Sequence, residues 1–407
     1  MKKIKLLTTC ILSAILIIST FALTACTPPT PTSIGWYGGT AHHHQPKHLV
    51  LNAGDTLTVT NNHFQDISLD FEDFSLEIHQ ERGQNIVAIQ NNVITAVNSG
   101  YVIIRARLYQ ETIHNASRQR IRPFYSVILA NIHVINEATM THITTAEELA
   151  AMNDNLDGHF ILMADIDLAE WGEWTPIGSG STYSFRGMFV NPHEYRIKNL
   201  TITTSNGINS MDSGITRVGL FGVIGRSTDT HPVFIYKIIL EDIFIDVSDY
   251  VCSIHPVNSI TLGGIAGNVQ PGAIVLDSVV NGTLISSGVR TGGIVGVNNS
   301  GSIKGNSFIG TIIATQDFDH ERTAIGGIAG SNFTNFIGQD IITNIIDNTV
   351  YADLIGGERG HVGGIIGIGW NEGMEVINSS FRGTLTGAWT GTKIGFDHFT
   401  HNSVNFN

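Results

Sequence analysis

The sequence predicts an all-β chain: a small β-sandwich, then a right-handed parallel β-helix that opens on a short N-terminal capping helix. Gly292-Gly293-Ile294-Val295-Gly296 recurs as Gly263-Gly264-Ile265-Ala266-Gly267, Gly326-Gly327-Ile328-Ala329-Gly330 and Gly363-Gly364-Ile365-Ile366-Gly367. The copies start 29, 34 and 37 residues apart, the spacing of repeats that each add one rung to a stacked solenoid. Glycine is unevenly placed, with 11 residues before position 201 and 33 after it, so composition alone marks a boundary in mid-chain. Upstream of that boundary, apolar residues alternate with polar ones at period two, as in half-buried strands.

A chain of 407 residues is long enough for two or three domains. Its formal charge of −13 disfavours nucleic acid, whose binding needs clustered Lys and Arg to displace counterions. At the N-terminus, Lys2, Lys3 and Lys5 precede an apolar run from Leu6 to Ala22, followed by Leu23-Thr24-Ala25-Cys26. This is the layout of an export signal, and the tetrapeptide resembles the lipobox of bacterial lipoproteins. The resemblance implies a signal peptide over 1–25, lipidation of Cys26, a membrane partner through that lipid, and an extracytoplasmic, surface-exposed location. Removing the three lysines takes the charge to −13 − 3 = −16. With Cys26 lipidated, Cys252 has no partner for a disulfide and reads as a small core hydrophobe.

Residues 26–45 carry Pro28, Pro29 and Pro31, then Gly35, Gly38 and Gly39, and read as a tether. His42-His43-His44 closes it; adjacent residues on an extended chain point in alternating directions, so the three imidazoles do not preform a metal site. Residues 46–136 read as strands broken by turns. Asn85 to Gln90 is one strand, Asn91-Asn92 a turn, Val93 to Asn98 a second strand, Ser99-Gly100 a turn, and Tyr101 to Ala106 a third. This order resembles the bacterial Ig-like group 2 domain, which implies an Ig-like sandwich acting as a spacer. The stretch Gln110 to Pro123, with Arg118, Arg120 and Arg122, departs from that pattern as a long basic loop.

The solenoid is placed at 140–395, with a cap or tail at 396–407. Thr144-Thr145-Ala146-Glu147-Glu148-Leu149-Ala150 reads as a helix start, with a capping box from Thr144 and Glu147 or from Thr145 and Glu148. Solenoid ends need such covers, because a bare terminal rung templates aggregation. Next come Asp165-Ile166-Asp167-Leu168, Trp174-Thr175-Pro176-Ile177-Gly178, Phe185-Arg186-Gly187-Met188-Phe189 and Ile197-Lys198-Asn199-Leu200-Thr201-Ile202. This run and the glycine repeats resemble bacterial surface proteins with the GLUG motif, implying a GLUG-type β-helix. Val190 to Tyr195 departs from the family's Gly-rich turn.

A second motif runs in phase with the first: Asp277, Asn306, Asn348 and Asn378 follow their glycine pairs by 14, 14, 22 and 15 residues. In a β-helix, the pairs Gly263/Gly264, Gly292/Gly293, Gly326/Gly327 and Gly363/Gly364 would form corners with positive φ and close backbone approach. The Asn and Asp residues would then stack as an amide ladder. A propeller needs about 40–50 residues per blade, more than the 29-residue interval allows.

The sequence offers no catalytic set, no metal site and no cofactor motif. Ser-His-Asp order, a zinc helix and a phosphate-cradling loop are all missing, and the glycine repeats lead into strands rather than a helix N-terminus. Asp165 and Asp167 share a strand face and suit glycoside hydrolysis or Ca²⁺, or a structural turn. Asp317, Asp319, His320 and Glu321 form the densest acidic cluster, a candidate binding group or a solvated loop. Asp397, His398 and His401 read as a metal corner or a polar end-cap. Trp171, Trp174, Trp370 and Trp389 are candidates for sugar stacking or for packing. The reading is a cell-surface lipoprotein acting as a non-enzymatic adhesion module for a glycan or a host or cell-wall protein. The alternative is a carbohydrate-active β-helix enzyme with a groove between loops 317–322 and 331–343. GLUG repeats also accompany large IgA-cleaving metalloproteases, whose zinc motif this chain does not carry.

Overall fold

The structure, a computed structural model, describes residues 47–65, 72–110, 113–114, 120–121, 124–179, 183–203, 216–226, 232–249, 260–287, 290–315, 323–333, 344–358, 360–370, 375–397 and 402–404. The expected signal segment, Cys26, the tether and Cys252 lie outside the described residues.

The chain is mostly β, and from Thr141 onward parallel strands stack as in a β-helix. One rung runs through four sheets: Ile260–Gly263 in the first, Ala266–Val269 in the second, Ile274–Leu276 in the third and Val279–Ser286 in the fourth. The next rung repeats this with Arg290–Gly292, Val295–Asn299, Ser302–Lys304 and Ser307–Ala314. Each strand pairs in parallel with its counterpart one rung away, Gly263 with Gly292, Gly292 with Gly326 and Gly326 with Gly363. Inward residues form continuous columns. Ile265, Ile294, Ile328 and Ile365 are fully buried, as are Leu284, Ile312 and Leu354. Burying each such side chain contributes about 1.5–3 kcal/mol, so rung-to-rung stacking is the dominant stabilising term.

Two of the four corners are tight. Two residues separate the first and second sheets, as Gly264-Ile265 does, and two separate the third and fourth, as Asp277-Ser278, Gly305-Asn306 and Asp347-Asn348 do. Differences in rung length fall at the other two corners, between the fourth and first sheets and between the second and third.

The glycine corner works differently from the expectation of positive φ. Gly263, Gly264, Gly292, Gly293, Gly326, Gly327, Gly363 and Gly364 are all absent from the left-handed region, and steric crowding is what demands them. A Cβ on Gly263 would lie 2.6 Å from Val295 Cα, and one on Gly264 would lie 2.6 Å from Val280 Cγ1 and 2.8 Å from Gly293 O. The positive φ sits at the tight corner between the third and fourth sheets, at Lys237, Asp277, Gly305, Asp347 and Asn378.

This corner also corrects the expected amide ladder. Val279 pairs with Ser307, Ser307 with Thr349 and Thr349 with Ser380, so Asp277 and Asn378 stack with Gly305 and Asp347, one position before Asn306 and Asn348. Burial raises the Asp277 carboxyl above its ordinary range. The ladder is Ser278, Asn306, Asn348 and Ser379, all buried. Asn306 Oδ1 accepts from Ser278 N at 2.9 Å, Asn348 Oδ1 from Asn306 N at 2.9 Å, and Ser379 Oγ from Asn348 N at 3.1 Å.

Between the third-sheet strands Thr141–Ile143 and His159–Leu162, Ala146–Ala150 forms a short helix (α1) whose Leu149, with Met152 just beyond it, enters the solenoid interior. Its capping box is Thr145 with Glu148: Glu148 N donates to Thr145 Oγ1 and Thr145 N to Glu148 Oε2, each at 3.2 Å. Glu148 Oε2 also accepts from Thr144 N at 2.7 Å and Thr144 Oγ1 at 2.8 Å, and these bonds, the backbone one first, lower the carboxyl's pKa.

The N-terminal unit has a four-stranded sheet in the order Lys47–Asn52, Phe124–Ile135, Gly100–Tyr109, Asp73–Arg82, and a three-stranded sheet of Thr56–Thr58, Val93–Ala96 and Val87–Gln90. Both share one core containing Leu51, Val59, Phe64, Phe74, Val87, Ile94, Ile104, Ile132 and Val134. The last two strands of the small sheet meet at Asn91 and Asn92, both at positive φ, as a tight hairpin turn requires. The strand Phe124–Ile135 is buried on both faces from Leu129 on. Ile132 and Val134 point into the unit's own core, whereas Ile135 on the other face, with Val50, packs on the outer side of the third sheet against Ile161, Met188, Val190, Phe234 and Ile274.

Candidate functional site

On the outer side of the third sheet, the outward residues Ile161, Val190, Tyr236 and Leu276 lie within the apolar cluster that includes Val50 and Ile135 of the N-terminal unit. Beyond that cover the same column continues as Lys304, Ile346 and Ile377.

The fourth sheet contrasts with that covered stretch. Its long strands are Ile239–Val247, Val279–Ser286, Ser307–Ala314, Thr349–Ile355 and Ser380–Thr386. Strict alternation sends Val280, Leu284, Phe308, Ile312, Val350 and Leu354 inward and their neighbours outward. One outward column is Asn281, Ile309, Tyr351 and Arg382; the next is Phe244, Thr283, Thr311, Asp353 and Thr384; the third is Asp246, Ile285, Ile313, Ile355 and Thr386. The two middle strands, Val279–Ser286 and Ser307–Ala314, carry no charged residue. Phe244 is 42 % exposed, Tyr351 43 % and Ile355 37 %. At a strand spacing of about 4.8 Å and a rise of about 3.3 Å per residue, the face of five such strands spans roughly 600 Å², polar and apolar positions together.

The lower margin is ordered by its own contacts. Thr384 Oγ1 donates to Asp353 Oδ1 at 2.6 Å, and the Arg382 guanidinium lies 5.9 Å from the Tyr351 ring centre. Charge gathers at the upper margin, where Arg196 meets Glu241 at 3.5 Å and Lys198 meets Asp165 at 3.6 Å. The middle of the face can therefore offer dispersion contacts and threonine hydroxyls, with charges only at its ends.

The residues singled out from the sequence are dispersed. Asp165 Oδ1 accepts from Arg196 N at 2.8 Å, and Asp167 Oδ1 accepts from Asn199 Nδ2 at 2.7 Å and Ala169 N at 2.9 Å. The Asn199 amide, then the Ala169 N–H, hold the Asp167 carboxyl below its ordinary range, so both aspartates serve turns between the first rungs. Asp317, Asp319, His320 and Glu321 lie outside the described residues, as do His398, His401 and residues 334–343 of the second groove loop. Trp174 is buried, with Nε1 donating to Leu220 O at 3.1 Å and its ring 6.2 Å from that of Trp171. Trp370 stacks on Phe333, and Trp389 is exposed and stacks on His361. Among the described residues no group of three or more His, Cys, Asp or Glu could hold a metal ion. None of the described helices is long and apolar enough to cross a membrane.

The outward face of the fourth sheet was not singled out from the sequence. Its signal is the run of Ile309, Ile313 and Ile355 at positions where the alternation already demands outward side chains.

No protein-family model matches the chain, and no curated protein matches it. Among solved structures it is similar to a candidate immunoglobulin A1 protease from Bacteroides ovatus, at a TM-score of 0.37 and 16 % identity over 67 % of this chain and 85 % of that one. It is also similar to an IgA1 protease, at a TM-score of 0.31 and 11 % identity over 87 % of this chain but 29 % of that one, so it spans less than a third of that protein's length.

Proposed function

We propose that this chain is a surface-displayed, non-enzymatic binding protein that engages a protein partner through the outer face of the fourth solenoid sheet. The observation that carries the reading is the contrast between two faces of one solenoid: the outward apolar residues from Ile161 to Leu276 on the third sheet are covered by the N-terminal unit, while Phe244, Tyr351 and Ile355 stand exposed on the fourth. Isoleucine columns give dispersion and no hydrogen bonds, which suits a protein surface better than a glycan's hydroxyl-rich one. The lipobox-like Leu23-Thr24-Ala25-Cys26 supports attachment through lipid on Cys26, with the Pro-rich stretch as tether. Two small sheets sharing one core support an Ig-like spacer, and the entry of Leu149 and Met152 into the solenoid interior supports a capping role for α1. The glycine repeats and their stacking support a GLUG-type β-helix.

The test is binding of the exported chain to panels of extracellular proteins and to a glycan array, beside the variant Ile309→Lys/Ile313→Lys. Saturable protein binding abolished by the variant supports the reading. Binding that survives it removes the face from the account, binding to glycans alone replaces the partner class, and turnover of any glycan replaces the function with the carbohydrate-active alternative.

A further inference from the structure

An ionisable side chain lies at the centre of the seam between the N-terminal unit and the third sheet. His133 is 1 % exposed, its ring lying flat on Phe234 of the solenoid with centres 4.0 Å apart and planes 15° apart. Tyr101 of its own unit closes the other side at 4.9 Å. No protein group among the described residues meets His133 Nε2. A neutral imidazole tolerates this as an aromatic ring would, whereas an imidazolium would place a proton donor and a full charge against apolar rings without a partner.

The charged surroundings make that worse. From the strand Lys47–Asn52 the group that faces His133 is His48, and from the solenoid it is His159; beyond them lie Lys304, which acts on His48, and Arg82, which acts on His159. The carboxylates nearby are occupied: Asp157 by Arg82 at 3.2 Å and Arg186 at 2.5 Å, and Asp347 by Lys304 at 4.0 Å. From Gly100–Tyr109 the facing group is Tyr101, whose burial raises its pKa and keeps it neutral. The two groups that act on His133, His48 and His159, both oppose its protonation.

We propose that the seam is an acid-released latch: His133 holds the N-terminal unit on the solenoid while neutral, and its protonation frees that unit to swing away.

The electrostatics agree with the geometry. Loss of water first, then His48 and His159, hold the His133 imidazole well below its usual range. Loss of water also lowers His48, which is exposed at the rim yet lined by protein on its inner side, with Lys304 second, and His159, with Arg82 second. A base lowered in the docked state takes up its proton when undocked. Docking is therefore at full strength above the free imidazole value of about 6.5 and is lost as pH falls from there towards the docked values. His133 alone weakens docking roughly tenfold between pH 7.5 and 5.5, and His48 and His159 act in the same direction.

Hydroxyl-radical footprinting of the full chain tests this, because the seam is a side-chain contact. The side chains of Tyr101, Met188 and Phe234 are expected to lose protection from pH 7.5 to 5.5, with a roughly tenfold rise in the open population, while those of Phe308 and Leu354 keep theirs. His133→Phe, which retains the stacked ring, is expected to lose less protection than the wild type at pH 5.5, the remainder coming from His48 and His159. Unchanged protection in the wild type overturns the latch, and so does a loss in His133→Phe equal to that of the wild type. Should His133→Phe fail to dock at pH 7.5, His133→Gln decides: docking that keeps the wild-type pH dependence overturns the proposal, and docking with a weaker pH dependence supports the proposal.

Discussion

Asn348 Oδ1 accepts hydrogen bonds from both the backbone N and the side-chain Nδ2 of Asn306, at 2.9 and 3.3 Å, inside the solenoid wall. The Asn348 Nδ2 donates in turn to Ile303 O at 3.0 Å. Asn348→Ala leaves a buried N–H and a buried carbonyl without partners, each costing about 1–3 kcal/mol. The expected destabilisation is about 2–6 kcal/mol, read as a lower denaturant midpoint.

Gly264→Ala should be harmful for steric reasons alone. Its new methyl meets Val280 Cγ1 and Gly293 O, neither of which can retreat without shifting a neighbouring rung. We expect a loss of about 1–3 kcal/mol or more. Gly272→Ala is the control: it has open space around its Cβ but a φ of +79°, so it costs only about 1–2 kcal/mol of backbone strain. Thermal unfolding of both variants checks the order.

Neighbouring residues on the fourth sheet should respond in opposite ways. Leu354→Ala empties a buried position in the inward column and should cost about 2–5 kcal/mol. Ile355→Lys, pointing outward, should change stability by no more than about 0.5 kcal/mol. Equal losses for the two would show that the alternation is misassigned.

Acid should loosen the entrance to the solenoid. The folded Glu148 carboxyl is lowered, so its contribution is present above the ordinary glutamate value and is lost as pH falls through that value towards the folded one. Glu148→Gln keeps an acceptor for the Thr144 and Thr145 amides but cannot titrate. The variant should melt below the wild type at pH 7 and converge with it as pH falls below the folded carboxyl's own value.

Much of the solenoid was legible in the chain. The glycine repeats mark the true corner between the first and second sheets, and Thr145 with Glu148 marks the helix start. The ladder was displaced because Asp277 and Asn378 look like amide positions, whereas short polar residues also favour the left-handed backbone that this corner needs. Gly305 beside Asn306 holds that backbone position openly, and it is the residue that betrays the correct register. The seam was missed for a different reason. Leu129 to Ile135 is apolar at nearly every position, the mark of a strand covered on both sides, but an isolated sandwich strand leaves one face for water. His133 is the one ionisable side chain in that run, and its neighbours in space come from sequence positions 32 and 101 residues away.

The two tight corners fix where each rung sits, whereas the two loose ones set only how much chain travels between sheets. Height along the stack is therefore uncoupled from sequence length. A peptide spliced between the second and third sheets would emerge at a known level, about 4.8 Å from its neighbour above and below. The molecule is in that respect a graduated rack, on which several foreign segments could be mounted at chosen intervals along one edge.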